Sequence, residues 1–318
     1  MPPPLPSDRT SRRRLTADLD GPITRRAALS AGISDRELQG PRFRRLFHGV
    51  YVPAALPMTP ALWVWAARLV GPKDSFAAYH SAARLLGGVV PDSATTHLGT
   101  SSARQSRVSG LLLHRYAARP ALVDVDGQPC TDAPQTFRDL AGHLELVDLV
   151  VLGDSLVRVG RVTPEQLREA VATPGRWAAA AGRAAAYVRA GVDSPPESRL
   201  RMLCVLAGLP EPVVGLVVQD RTGRIRRLDL AWQAARVALE YDGRHHIERE
   251  AQWVGDLRRR EDLERDWRFV VVTGPDLFRT PGQTVNRIVA TLGEQRLVVP
   301  RIRPDWRRYF PERGSYLA

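Results

Sequence analysis

The stretch RRLDLAWQAARVALEYDGRHH, residues 226–246, decides how this chain is read. Leu228 and Leu230 alternate with Arg227, Asp229 and Ala231, while Val237, Leu239 and Tyr241 alternate with Ala238, Glu240 and Asp242. A period of two marks a pair of half-buried strands, each with an apolar and a charged side. If the turn between them is centred on Ala234 and Ala235, Gln233 faces Arg236 and Asp229 falls directly opposite Glu240. Facing residues of an antiparallel pair have Cβ atoms about 4.5–5.5 Å apart, so two carboxylates placed this way repel unless a cation or proton lies between them. Asp242 falls on the same face one step along. Oxygen-only donors suit Mg²⁺ (or Mn²⁺) better than Zn²⁺, because Mg²⁺ takes one or two carboxylates and keeps waters and phosphate oxygens for the rest. Asp229 and Glu240 are the expected metal ligands. The turn is the unusual part, since Ala-Ala lacks the Gly or Asn that a positive φ favours. His246 and, within WVGDLRRRE at residues 253–261, Asp256 extend the polar cluster.

Around this hairpin the chain has 318 residues, enough for two or three domains with real cores. It shows no run of about 18 apolar residues, and its start, MPPPLPSDRTSRRRL, has no apolar core of a secretory signal. The expectation is a cytoplasmic protein without a membrane partner. Cys130 and Cys204 have no partner pattern and read as structural thiols. The net charge of +12 is concentrated at the two ends: residues 1–60 carry 10 basic and 5 acidic side chains, and residues 301–318 carry 5 and 2. Lys73 is the only lysine. Arginine makes bidentate phosphate and guanine contacts, so a nucleic-acid partner is compatible with this balance.

Residues 1–20 read as a disordered basic arm. In ITRRAALSAGISDRELQ a first helical pattern is followed by a Gly32 turn and a second helix, which Ser34 and Glu37 start as a capping box. Helix, glycine turn, helix is the helix-turn-helix order. FRRLFHGVYVP then predicts two short strands around His48-Gly49, in the place of a wing, so that residues 21–58 form a winged helix-turn-helix. Arg25, Arg26, Arg36, Arg42, Arg44 and Arg45 are its candidate DNA-binding residues. The same arginines would also suit an ordinary solvated helical pair. Residues 59–185 read as a mostly helical middle domain, from PALWVWAARLV through TPEQLREAV to an Ala/Gly-rich linker. His80, His97, His114 and His143 show no ligand spacing and are expected as core or surface histidines.

Residues 186–300 form the predicted C-terminal domain, followed by a basic tail at 301–318. It opens with an amphipathic helix carrying Leu200, Leu203, Cys204 and Ala207 on one face, with Glu197 in its first turn. Ser194 and Glu197 also make a capping box, which accounts for that acid without any chemistry. A meander of VVGLVVQD, RIRRLDLAW and RVALEYDG, a charged helix, the apolar strand WRFVVVTG and the closing helix TVNRIVATLG complete the domain. The fold class expected overall is α+β and multidomain.

Two resemblances overlay this reading. Residues 22–53, with HSAARLLGG from His80 and DAPQTFRDLA from Asp132, resemble the N-terminal winged-helix region of AbiEi-type antitoxins, in which that region binds the promoter of its own operon. About a hundred residues from Glu197 onward resemble the Vsr- and MutH-related branch of the PD-(D/E)XK, restriction-endonuclease-like fold, an α/β domain with a mixed central sheet. That resemblance implies Glu197 as the helical acid, Asp229 and Glu240 as the strand acids, and Mg²⁺-dependent phosphodiester hydrolysis. Asp242 stands where the family pattern most often has lysine, and no lysine occurs after Lys73. Vsr-like members use histidine, so the resemblance makes His246 the candidate for proton transfer, with His245 the lesser twin. Asp256 with Arg259 or Arg260, one helical turn apart, would face the same site and steady a charged phosphate.

The implied function is a DNA-binding, metal-dependent endonuclease in DNA repair, phage defence or a toxin-antitoxin setting. An alternative is an AbiEi-like antitoxin or transcriptional regulator whose nuclease-fold domain is inactive and serves a homodimer or a cognate toxin partner. A glycosidase acid pair is a further alternative, thinly supported by Trp232, Trp253 and Trp267. An HNH-type nuclease is disfavoured, because the only asparagine, Asn286, lies in the closing helix.

Overall fold

The computed structural model describes residues 19–102, 106–221, 223–243, 263 and 265–312. It is α+β, and its chain divides into the units Met1–Leu140 and Ala141–Ala318. No helix among the described residues is long and apolar enough to cross a membrane.

The first unit starts with β1 (Ile23–Thr24), α1 (Arg25–Ser30), α2 (Asp35–Leu38), β2 (Phe43–Phe47) and β3 (Val50–Pro53). The Thr24 hydroxyl starts α1 by accepting the Ala27 N–H at 3.2 Å. Ser34 and Glu37 start α2 by the reciprocal exchange read from the sequence, with the Ser34 N–H donating to Glu37 at 2.9 Å. Gly32 at φ +80° separates the helices and Gly49 at φ +74° turns β2 into β3. The three strands lie antiparallel in the order β1-β3-β2, and Ala28, Ile33, Leu38, Phe43 and Tyr51 close a core against them.

The remainder of this unit comprises α3 (Pro60–Val70), β4 (Phe76–Ala77), α4 (Tyr79–Leu85), β5 (Thr96–Thr100), β6 (Leu111–Arg115), β7 (Leu122–Val125), β8 (Gln128–Thr131) and α5 (Ala133–Leu140). Its strands form a mixed sheet in the order β6-β5-β4-β8-β7, with β5 parallel to β6 and β4 parallel to β8. The expected mostly helical character of residues 59–185 therefore holds only in part. These strands escaped the sequence pattern for physical reasons: β4 has two residues, β8 contains Pro129, and all five residues of β5 are buried, which erases the alternation. Gly99 on β5 is required by close approach, since a Cβ there would lie 2.2 Å from the Phe76 ring.

The second unit has α6 (Leu146–Arg158), α7 (Pro164–Ala172), α8 (Ala178–Ala185), α9 (Pro195–Leu206), β9 (Val213–Gln219), β10 (Ile225–Trp232), β11 (Val237–Asp242), β12 (Arg268–Thr273), α10 (Gly274–Phe278) and α11 (Pro281–Glu294). The sequence predicts a domain boundary near residues 185–186, whereas the division falls after Leu140. The reason is packing: α6 lies against α9, and the buried Arg201 on α9 pairs with Asp154 on α6 at 3.0 Å. A boundary between them would separate a desolvated ion pair.

The mixed sheet of this unit runs β12-β11-β10-β9, with β11 parallel to β12 and the other pairs antiparallel. Leu230 pairs with Leu239, Ala231 with Ala238 and Trp232 with Val237, which is the register expected from the alternation. The turn solves the missing-glycine problem by length. Gln233–Ala235 make one 3-10 turn, and the positive φ falls on Arg236 (+53°), whose N–H donates to the Gln233 carbonyl at 3.2 Å. Leu200, Leu203 and Cys204 on α9 and Ala207 at its C-cap are fully buried, as their spacing required.

Candidate functional site

Three elements of the second unit bring acids to one end of the sheet. β10 carries Asp229, β11 carries Glu240 and Asp242, and the first turn of α9 carries Glu197. The β10–β11 pairing ends with Leu230 opposite Leu239, and the next step along the two strands holds Asp229 and Glu240. At that step the Tyr241 N–H donates to the Asp229 carboxylate, at 3.2 Å, so a side chain takes up a backbone donor of β11. A carboxylate inserted between two strands fixes its own rotamer and loosens the ladder beyond it. Glu240 and Asp242 sit half-buried opposite Val271 and Thr273 of β12.

Glu197 is 8% exposed. The Ser194 hydroxyl donates to its Oε1 at 2.6 Å and the Asp193 N–H to its Oε2 at 3.1 Å, so it braces the start of its own helix through the residue before the cap, where the expected capping box would use the Ser194 N–H. Burial pushes its pKa up, the hydrogen bond from Ser194 opposes the rise, and the charge of Asp229 adds to it. Glu197 and Asp229 are thus electrostatic neighbours. Tyr241 is likewise raised, first by burial and then by Asp242. Beside them Arg227 pairs with Asp193, so the cation at this edge is committed to the loop before α9.

Among the described residues, no group of three or more His, Cys, Asp or Glu side chains is arranged to hold a metal on its own. A thiolate or imidazole cage for Zn²⁺ does not fit here. Two strand carboxylates are the kind of oxygen donor a hard cation such as Mg²⁺ or Mn²⁺ takes, and the Glu197 pKa is raised first by burial and then by the charge of Asp229. His245, His246, Trp253, Asp256, Arg259 and Arg260 lie outside the described residues, as does most of the charged helix expected there. Leu263 and Trp267, which bracket its end, are buried against Leu228, Ala231 and Ala238.

In the first unit the six candidate DNA-binding arginines separate into two sets. Arg25 makes paired hydrogen bonds to Asp35, which tie α1 to α2, and Arg44 donates to the Leu56 carbonyl. Arg42 lies 3.9 Å from Glu37. Arg26 on α1, Arg36 on α2 and Arg45 on β2 are exposed. Sequence reading gave all six the same role because an arginine's partner is visible only once the chain is folded. It also missed the neutralised pair Arg201–Asp154, for which separation by 47 positions leaves no local signal.

No protein-family model matches the chain. Over 260 residues, covering 80% of this chain and 93% of the relative, it is 27% identical to an uncharacterised protein of Mycobacterium tuberculosis, matched in two strains.

Proposed function

We propose that this chain is a DNA-binding protein whose second unit hydrolyses phosphodiester bonds in DNA with Mg²⁺ or Mn²⁺, on a PD-(D/E)XK-like domain of the Vsr type. The observation that supports the reading is the β10–β11 pairing of Leu230 with Leu239, the step next to Asp229 and Glu240, together with the effect of the Asp229 charge on Glu197. Asp229 and Glu240 would hold the metal, which when bound polarises the scissile phosphate and makes a coordinated water more acidic. The Tyr241 N–H holds one oxygen of Asp229, and the Ser194 hydroxyl and Asp193 N–H hold both oxygens of Glu197, so these acids are oriented before substrate arrives. His246 is the group proposed to move the proton. Asp242, in the position where the family pattern has lysine, cannot stabilise an anionic phosphorane. That task falls in this reading to Arg259 or Arg260.

DNA engagement is assigned to residues 21–58 as a winged helix-turn-helix. Strand, helix, glycine turn, helix and hairpin occur there in order, and Arg26, Arg36 and Arg45 are exposed on them. Replacing each phosphate-contacting arginine by alanine should weaken binding to all sequences alike and reduce the salt slope by about one.

The test is plasmid and mismatched-duplex cleavage in Mg²⁺ by wild type, Asp229→Asn and Glu240→Ala. Loss of about 100-fold or more in both variants is expected, together with a rise in melting temperature on adding Mg²⁺ that Asp229→Asn abolishes. Equal cleavage by all three proteins overturns the assignment. DNA binding without cleavage or metal response would favour the AbiEi-like regulator, with a cognate toxin or a second copy as its partner.

A further inference from the structure

Three histidines that share no local pattern meet on one face of the five-stranded sheet. Leu112 of β6 pairs with His97 of β5, and His114 pairs with Gly99, so His97 and His114 stand on the same face. His97 Nδ1 and His114 Nε2 are 2.9 Å apart, and the His97 and His80 ring centroids are separated by 4.9 Å. Tyr79, where β4 passes into α4, takes a left-handed φ of +51° and stacks its ring on His114 with centroids 3.7 Å apart. A bulky residue held left-handed is a strained position of the kind that surrounding structure must over-determine. Here it clamps the second imidazole of a hydrogen-bonded pair.

The chain of contacts continues from the other ring nitrogen. Ser93 Oγ lies 3.2 Å from His97 Nε2, and the His97 N–H donates to Ser81 Oγ at 2.8 Å, which fixes the strand position from which the ring projects. The Thr95 N–H donates to Ser93 Oγ at 3.2 Å, so the hydroxyl oxygen is held while its proton can pass to His97 or to the Thr95 carbonyl. With the proton on His97 Nδ1 shared toward His114, Nε2 accepts from Ser93. Serine, histidine and an orienting third group in series are the arrangement that activates a hydroxyl nucleophile.

Ser93 also lines a cavity of about 420 Å³, within the size range of small-molecule sites. Met58, Pro60 and Trp63 give it an apolar wall, Ser81 and Thr96 a polar one, and Arg84 a positive charge. Arg84 is anchored by the Pro91 carbonyl at 3.2 Å and by Asp92 at 3.3 Å.

We propose that Ser93, His97 and His114 form a nucleophilic relay that hydrolyses a small carboxylic ester bound in this cavity. This activity belongs to the first unit and is independent of the acidic site in the second. Ser93 Oγ attacks the carbonyl carbon as its proton moves to His97 Nε2. The bond to the leaving oxygen breaks, and the alcohol departs with that proton. Water then adds to the acyl-serine, gives a proton to His97, and the Ser93 ester bond breaks to release the acid and restore the hydroxyl. Ser93 and His97 touch the reacting atoms, and His114 is a positioning residue that holds the His97 tautomer.

The experiment uses the full chain with a fluorophosphonate probe and p-nitrophenyl butyrate, reading the labelled residue by mass spectrometry and the rate against pH. One phosphonyl group on Ser93 is expected, absent in Ser93→Ala and formed about 100-fold more slowly in His97→Gln. His114→Gln should slow labelling about tenfold and shift the midpoint of its pH profile, which a merely structural role would not do. Absence of labelling at Ser93 in the wild type overturns the proposal. So does labelling as fast in His97→Gln as in the wild type. Should His97→Gln fail to fold, the wild-type profile decides: a single deprotonation supports the relay and a flat profile overturns it.

Discussion

Asp154 and Glu197 are both buried acids of the second unit, 2% and 8% exposed, and they are answered in opposite ways. Asp154 meets the buried guanidinium of Arg201 at 3.0 Å and accepts the Arg189 N–H at 2.8 Å, while Arg201 reaches on to Glu211 at 3.1 Å. Glu197 meets a hydroxyl, an N–H and the charge of another carboxylate. A desolvated charge with a full countercharge is a structural device, complete within the chain. A carboxyl that faces another carboxyl is stable only as a compromise between hydrogen bonding and repulsion, and it gains from an added proton or cation. Burial alone therefore does not distinguish these two acids, but the sign of the neighbouring charge does.

The comparison is broken most forcefully from the Arg201 side. Arg201→Leu keeps a side chain of similar apolar bulk but strands Asp154, and it should destabilise the chain by about 3–5 kcal/mol in chemical denaturation. Asp154→Asn in the Arg201→Leu background should recover part of that loss. If Arg201→Leu costs less than about 1 kcal/mol, the pair is not the structural device described.

Asp139 in the first unit is a third case, half-buried with neutral hydrogen-bonding partners. It accepts from the Tyr116 hydroxyl and, at 2.7 Å, from Gln135, and burial pushes its pKa up to about 6 despite both bonds. Because the folded value lies above the ordinary one near 3.8, the folded state binds this proton more tightly. The resulting stabilisation is full below about pH 4 and is lost as pH rises through about 6, by roughly 3 kcal/mol at most. Asp139→Asn should flatten that slope in melts taken across pH 4–7. An unchanged slope would show that Asp139 titrates normally.

How much of this was legible beforehand depends on whether the signal was local. The β10–β11 register follows from alternating apolar positions and stands in the fold over the pairs Leu230–Leu239, Ala231–Ala238 and Trp232–Val237. Its turn was harder, because Arg236 carries the left-handed conformation that composition assigns to glycine. The α9 face and the Ser194 and Ser34 caps follow from spacing of three and four residues and were equally readable. The β6-β5-β4-β8-β7 sheet was not, since its strands are short or buried on both faces. His80, His97, His114 and His143 are core or surface histidines without ligand spacing, but the meeting of the first three was not legible for the same reason. They are brought together by neighbouring strands that the pattern did not reveal, and no spacing along the chain encodes that meeting.

The smallest effect is the most discriminating for the acidic site. Glu197 has a raised pKa, so its contribution to stability is full below the ordinary glutamate range and falls away as pH rises through its higher folded value. Glu197→Gln removes the ionisation and also weakens the cap, because an amide nitrogen cannot accept the Asp193 N–H. The two effects oppose, and the net change at neutral pH should stay within about 1 kcal/mol. The slope is more informative than the size: between pH 4 and 7 the wild type should lose stability relative to Glu197→Gln. Asp229→Asn should reduce that relative loss by removing the facing charge, and saturating Mg²⁺ should reduce it in the wild type alone. If Asp229→Asn leaves the slope untouched, Glu197 responds to burial only, and the acids of β10 and α9 do not form one site.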